Sequence, residues 1–160
     1  MKHILIALAL LPTAALAHDF SAGSLTINHP WTRATPTGST AAAGYATITN
    51  KGTKADVLTA ATVEGAGHTM LHSTVTRDGV AHMNHLENGI TLAPGETVTL
   101  QPGGTHIMMM KLAKPFKAGE LVKGTLTFRE AGTVNVEYKV EAAGAKAPAT
   151  AESYDHHAHH

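Results

Sequence analysis

The sequence predicts an all-β fold, an antiparallel sandwich or barrel, and three observations predict it. Apolar and polar residues alternate in short runs rich in Thr and Val. Gly, Pro and Asn clusters interrupt those runs at regular spacing. Beyond the first seventeen residues, no stretch shows helical periodicity.

The elements follow in order. Strands are expected at 24–28 and at 44–50, the second closed by Asn50-Lys51-Gly52. A strand at 56–63 ends at Gly65-Ala66-Gly67. Strands 69–77 and 81–86 flank Arg77-Asp78-Gly79, the strongest hairpin signal in the chain, because a type I′ turn needs positive φ where Asp and Gly tolerate it. Pro94-Gly95 precedes a strand at 97–101, and Pro102-Gly103-Gly104 separates it from 105–111. The last two strands, 124–129 and 133–140, flank Ala131-Gly132. Many short strands with such turns make a sandwich or barrel.

The two ends differ from this middle. Lys2 and His3, the apolar run from Ile4 to Leu11 and Ala15-Leu16-Ala17 together form an export signal cleaved after Ala17. The apolar run falls short of the roughly 20 residues a permanent membrane span needs, so a soluble, periplasmic product without membrane insertion is expected. Residues 18–141 then form one domain and residues 142–160 a flexible tail. The tail is rich in Ala, Lys and Pro and ends in His156, His157, His159 and His160, a composition suited to metal capture. Ala158 interrupts the cluster, unlike a uniform purification tag.

Composition narrows the function. The 12 basic and 12 acidic side chains cancel, and loss of Lys2 leaves 11 basic ones. Nucleic acids and anionic membranes demand a basic patch, so neither is an expected partner. Cysteine is absent, which excludes disulfides, thiolate metal sites, thiol catalysis and a blue-copper centre. No Gly-x-Ser-x-Gly, phosphate loop or close carboxylate pair is present, so the chain is not expected to be an enzyme. What stands out is 12 His and 6 Met, five of the Met lying between Met70 and Met110.

Two clusters carry these residues. In a strand, His106, Met108 and Met110 share one face, while Ile107 and Met109 take the other, the natural core face. Pro102-Gly103-Gly104 puts His106 near the strand's start, at the rim. Upstream, His68, Met70 and His72 share a face, and the turn at Asp78-Gly79 returns His82, Met83 and His85 alongside. Residue 72 then pairs with residue 85, and 75 with 82. Spacing alone leaves open which of the three returning side chains joins His72.

Ligand type is more selective than position. Imidazole suits several metals, but thioether is soft and favours Cu(I). Zinc takes His with carboxylate or thiolate. Met70 and Met110 read as packing residues, Met109 as core, His29 as structural, and Trp31 and Tyr45 as core or rim packing. His18, at a free amino terminus, would chelate Cu(II) as in copper oxygenases, but the flat aromatic substrate surface of those enzymes has few candidates here. His18, His85, His156, His157, His159 and His160 are therefore secondary metal candidates. The alternatives are a zinc, nickel or Cu(II) scavenger and, behind it, a copper oxygenase using His18.

His72, ten residues, Met83, and then His106-x-Met108 resemble the His/Met signature of the PCuAC-type periplasmic copper chaperones. Gly79 and Val80 before Met83, the Leu100-to-Met108 run, Ile27-x-x-Pro30-Trp31-x-Arg33-Ala34 and Ala43-Gly44-Tyr45 are similar to that family too. The likeness spans about Leu25 to Val140. It implies a cupredoxin-like sandwich and a Cu(I) site made by His72, Met83, His106 and Met108. It further implies delivery of copper toward cytochrome c oxidase assembly, with an oxidase subunit or another copper chaperone as acceptor. His/Met-rich C-terminal extensions of the family match the tail, expected here to take Cu(II). A monomer is expected.

Overall fold

A computed structural model describes residues 19–149, and within them every regular element is a strand. The eleven strands are β1 (Asp19–Ala22), β2 (Leu25–Arg33), β3 (Ala41–Asn50), β4 (Asp56–Val63), β5 (Ala66–Arg77), β6 (Val80–His85), β7 (Ile90–Leu92), β8 (Thr97–Leu100), β9 (Thr105–Leu112), β10 (Leu121–Phe128) and β11 (Gly132–Glu141). The export signal, His18 and the four tail histidines lie outside the described residues. Among those residues no helix is long and apolar enough to cross a membrane.

The strands pair in the order β6-β5-β9-β3-β2-β11-β10-β4-β7, with β1 added to β2 and β8 to β3. All pairings are antiparallel but one: β11 runs parallel to β2 over Lys139↔Trp31 to Glu141↔Arg33. The ladder stays open, with β6 and β7 at its ends, and folds over as a sandwich. Leu71, Ile107 and Met109 from β5 and β9 share one buried cluster with Leu58, Leu126, Val136 and Tyr138 from β4, β10 and β11. Alternation does this directly, because each half-buried strand offers every second side chain to the core.

All nine expected strands are present, β4 with the expected bounds. Two more escaped notice. β7 is three residues long, too short for a period to show, although its buried-exposed-buried pattern is that of a strand. β1 is set by pairing with β2 across the tight turn at Gly23, which has φ 56°. β2 also runs further than expected. Pro30 reads as a strand end, but the chain passes it through a bulge with His29 at φ 47° and a register shift between Asn28 and Trp31.

The hairpin that carries the upstream His/Met cluster forms as expected. Asp78 and Gly79 have φ 51° and 77°, the two positive values of a type I′ turn. The register is His72↔His85 and Val75↔His82.

Asp56 ties the far side together. Its carboxylate accepts backbone N–H bonds from Val57 at 2.7 Å, Glu130 at 2.9 Å and Ala131 at 3.0 Å, which pins the β10–β11 turn to the start of β4. Beyond β11 the chain stays in contact with the domain, since Arg33 donates to the Ala145 carbonyl at 2.6 Å.

Candidate metal centre

Three adjacent strands, β6, β5 and β9, bring the His and Met residues to one sheet face. His72 lies between His85 of β6 and His106 of β9, its Cα partner on either side. The His72 and His106 rings are 5.8 Å apart at 81°, and the His72 and His85 rings 5.6 Å apart at 64°. Residues opposed across an antiparallel ladder project to the same side. Met83, opposite Thr74, and Met108, opposite Met70, therefore share this face, while His82, opposite Val75, points to the other.

By register alone, Met83 and Met108 fall on opposite sides of the His72–His106 row. In the structure they nevertheless meet. Met83, His106 and Met108 line one shallow concavity together with Tyr45, Thr74 and Ala43. Tyr45 and Thr74 carry no sequence signal for this place. Tyr45 is brought here by β3 pairing with β9 and is held by Trp31, whose ring centroid is 4.6 Å away, while Thr74 comes with β5, opposite Met83.

Local structure sets each ligand candidate. The Pro102-Gly103-Gly104 turn, with Gly103 at φ 78°, starts β9 so that His106 is its second residue. His106 is only 5% exposed, more deeply set than a rim position suggests. Its Nδ1 sits 3.0 Å from the Gly104 carbonyl. An N–H there donates to that oxygen and leaves the Nε2 lone pair free, the usual arrangement for a metal-ligating histidine.

His72 is different. Its Nδ1 is buried and has no hydrogen-bond partner. Such an orphan costs about 1–3 kcal/mol unless something satisfies it. Burial also holds the His72 imidazole below its ordinary value, with His106 and His85 acting in the same direction. Both effects favour the neutral ring, the form that keeps a nitrogen lone pair for a ligand. Met83, on the edge strand β6, is 54% exposed, while Met108 is half-buried.

The donor set is restricted. Among the described residues, no three His, Cys, Asp or Glu side chains form a group that could hold a metal. On this face the thioethers of Met83 and Met108 accompany the imidazoles, and thioether sulfur favours soft monovalent ions. Of the remaining residues singled out by sequence, Met109 is fully buried in the core, and Met70 and Met110 are half-buried on the site's own face. His29 sits at the β2 bulge, in a groove with Trp31, Lys146 and Pro148.

The chain is similar to known proteins in both sequence and structure. The LpqE-like lipoprotein family matches over residues 25–140. A Leifsonia xyli subsp. xyli protein named as a lipoprotein, Lxx21020, is 34% identical over 131 residues, covering 82% of this chain and 78% of its own. The apo PCuAC domain from PmoF1 is 30% identical with a TM-score of 0.67, covering 78% of this chain and 99% of that domain. The copper-bound PCuAC domain from PmoF2 is 29% identical, also at 0.67, with 78% and 98% covered. The solution structure of CuI-DR1885 from Deinococcus radiodurans is 31% identical at 0.60, with 81% and 83% covered. The cupredoxin-like sandwich expected from the sequence is the fold these domains share. With matches this long in both sequence and structure, the chain belongs to the LpqE-like family and is of the PCuAC type.

Proposed function

We propose that the chain is an exported copper chaperone. His72, Met83, His106 and Met108 hold one Cu(I), and the protein delivers it toward cytochrome c oxidase assembly. The observation that carries this reading is the convergence of those residues on one sheet face. Met83, His106 and Met108 line a single concavity, and the unpartnered Nδ1 of His72 lies in the adjoining strand beside His106. Two neutral imidazoles and two thioethers form a soft, uncharged donor set suited to Cu(I). The PCuAC domain from PmoF2 is copper-bound and DR1885 is in a Cu(I) form, both at similar identity to this chain, which supports the reading. A lipoprotein name on the relative supports export, here to the periplasm after cleavage at Ala17.

Transfer follows from exposure. Met83 sits on an edge strand in contact with solvent, so an acceptor's ligands can replace donors one at a time without releasing a free ion. Copper is cargo in this scheme, and no chemistry is performed on it. A zinc or nickel scavenger would need a nitrogen and oxygen donor group, which the described residues lack. The test is anaerobic mixing of the Cu(I)-loaded chain with the apo copper-accepting domain of an oxidase subunit. Copper should move to the acceptor within the mixing experiment; retention on the chain would contradict delivery.

The tail is assigned a separate role, in which His156, His157, His159 and His160 take Cu(II). Deleting residues 151–160 is expected to lower Cu(II) uptake while leaving Cu(I) affinity within about twofold, a change of ~0.4 kcal/mol. Parallel titrations of both oxidation states check this, and equal losses would refute it.

A further inference from the structure

Three soft side chains on the same sheet face take no part in the ligand set above: His68, Met70 and Met110. In the β5–β9 ladder His68 is directly opposite Met110, and Met70 is directly opposite Met108. Opposed residues hold their Cβ atoms about 4.5–5.5 Å apart, and same-face neighbours along a strand lie roughly 7 Å apart. His68 and Met110 thus form one cross-strand pair, with Met70 one step along β5. All three project away from the core, which Leu71, beyond Met70, and Met109, before Met110, fill from the other face.

Packing does not account for them. On its other side Met110 faces Ala41 of β3, as Met108 faces Ala43, and these methyl groups cover little of a methionine. Met70 and Met110 remain half-buried and His68 exposed. The outward face of a half-solvated sheet ordinarily carries polar side chains, not a row of thioethers. Toward its start β5 has no ladder partner on this side, because β6 pairs with it only from His72 onward, with one further bond from Leu86 N–H to the Leu71 carbonyl. A groove lies there between β5 and β4, lined by His68, Met70, His85 and Glu87 and by Thr59 and Ala60 of β4.

We propose that His68, Met70 and Met110 form a second soft-metal site, which takes a monovalent thiophilic cation, Cu(I) or its mimic Ag(I), beside the first. The unbranched methionine side chains have the reach to close on an ion next to the His68 ring. One imidazole and two thioethers give the same preference for a soft ion as the main site, without a hard donor. The two sites share no ligand, so this proposal stands or falls separately from the one above. Binding is by lone-pair donation alone, with no change of oxidation state.

The test is NMR of the full chain carrying ¹³C-methyl methionine, titrated with Ag(I). The tail contains no methionine, so silver taken there moves none of the signals. Met83 and Met108 should shift with the first equivalent, Met70 and Met110 with a later one, while the core residue Met109 stays in place. Met110→Leu should weaken the later phase, read on Met70, at least tenfold and leave the first phase unchanged. Unmoved Met70 and Met110 signals in excess silver would overturn the second site, as would their shifting together with Met83 and Met108. Shifts of Met70 and Met110 without Met83 and Met108 would support it and refute the main ligand set instead.

Discussion

Replacing Met108 with leucine is expected to weaken Cu(I) binding at least about 100-fold, or ~2.7 kcal/mol, in an anaerobic competition titration. Changes to residues that merely orient a ligand cost 10–100-fold in metal affinity, and Met108→Leu removes a donor outright. Stability should hardly change, because Met and Leu are close in volume and such swaps usually cost under about 1.5 kcal/mol. Met108 is half-buried on the solvent side of β9, where the neighbouring Ala43 leaves room. His106→Ala should lose at least as much affinity but is a less clean probe. That ring is 5% exposed and bonded to the Gly104 carbonyl, so its removal also costs folding energy. Unchanged affinity in Met108→Leu would remove it from the ligand set.

Asp56→Ala is expected to destabilise the fold by about 3–5 kcal/mol, since three backbone donors lose a charged acceptor at once. The measurement is denaturant unfolding, with Asp56→Asn, which keeps one acceptor oxygen, falling in between. The effect should be confined to stability, because Asp56 joins β4 to the β10–β11 turn, in the half of the sandwich away from β6, β5 and β9. Cu(I) affinity per folded molecule should remain as in the native chain. The same carboxylate sets part of the acid response. Burial pushes its pKa up, but the bonds from Glu130, Val57 and Ala131 and the charge of Arg129 outweigh this, so it lies below the ordinary 3.8. A lowered carboxylate pKa stabilises the fold above its unfolded value and loses that contribution as pH falls through the folded one. Native and Asp56→Ala stabilities should therefore converge below about pH 4. A constant difference down to pH 2 would mean that the charge is not what matters.

Much of this was legible because strands impose a period of two and a tight turn fixes register. Asp78-Gly79 alone sets His72 opposite His85 and Val75 opposite His82. The period of two sends Ile107 and Met109 inward and His106 and Met108 outward. What stayed hidden depends on partners distant in sequence. Tyr45 reaches the concavity only because β3 pairs with β9, a contact no local pattern encodes. Met83 meets Met108 in it although the register sets them on opposite sides of the His72–His106 row, a closure that pairing alone does not give. His106 is more buried than its place near the strand's start implies, for the turn before it folds back to bond its ring. The bulge at His29 likewise needs both neighbours of β2 to carry the strand past Pro30.

X-ray absorption on the Cu(I)-loaded chain reads the ligand atoms directly. Two nitrogens and two sulfurs per copper are the result expected for His72, His106, Met83 and Met108. A shell of nitrogen and oxygen without sulfur would contradict the thioether site and, with it, the chaperone reading built on that site.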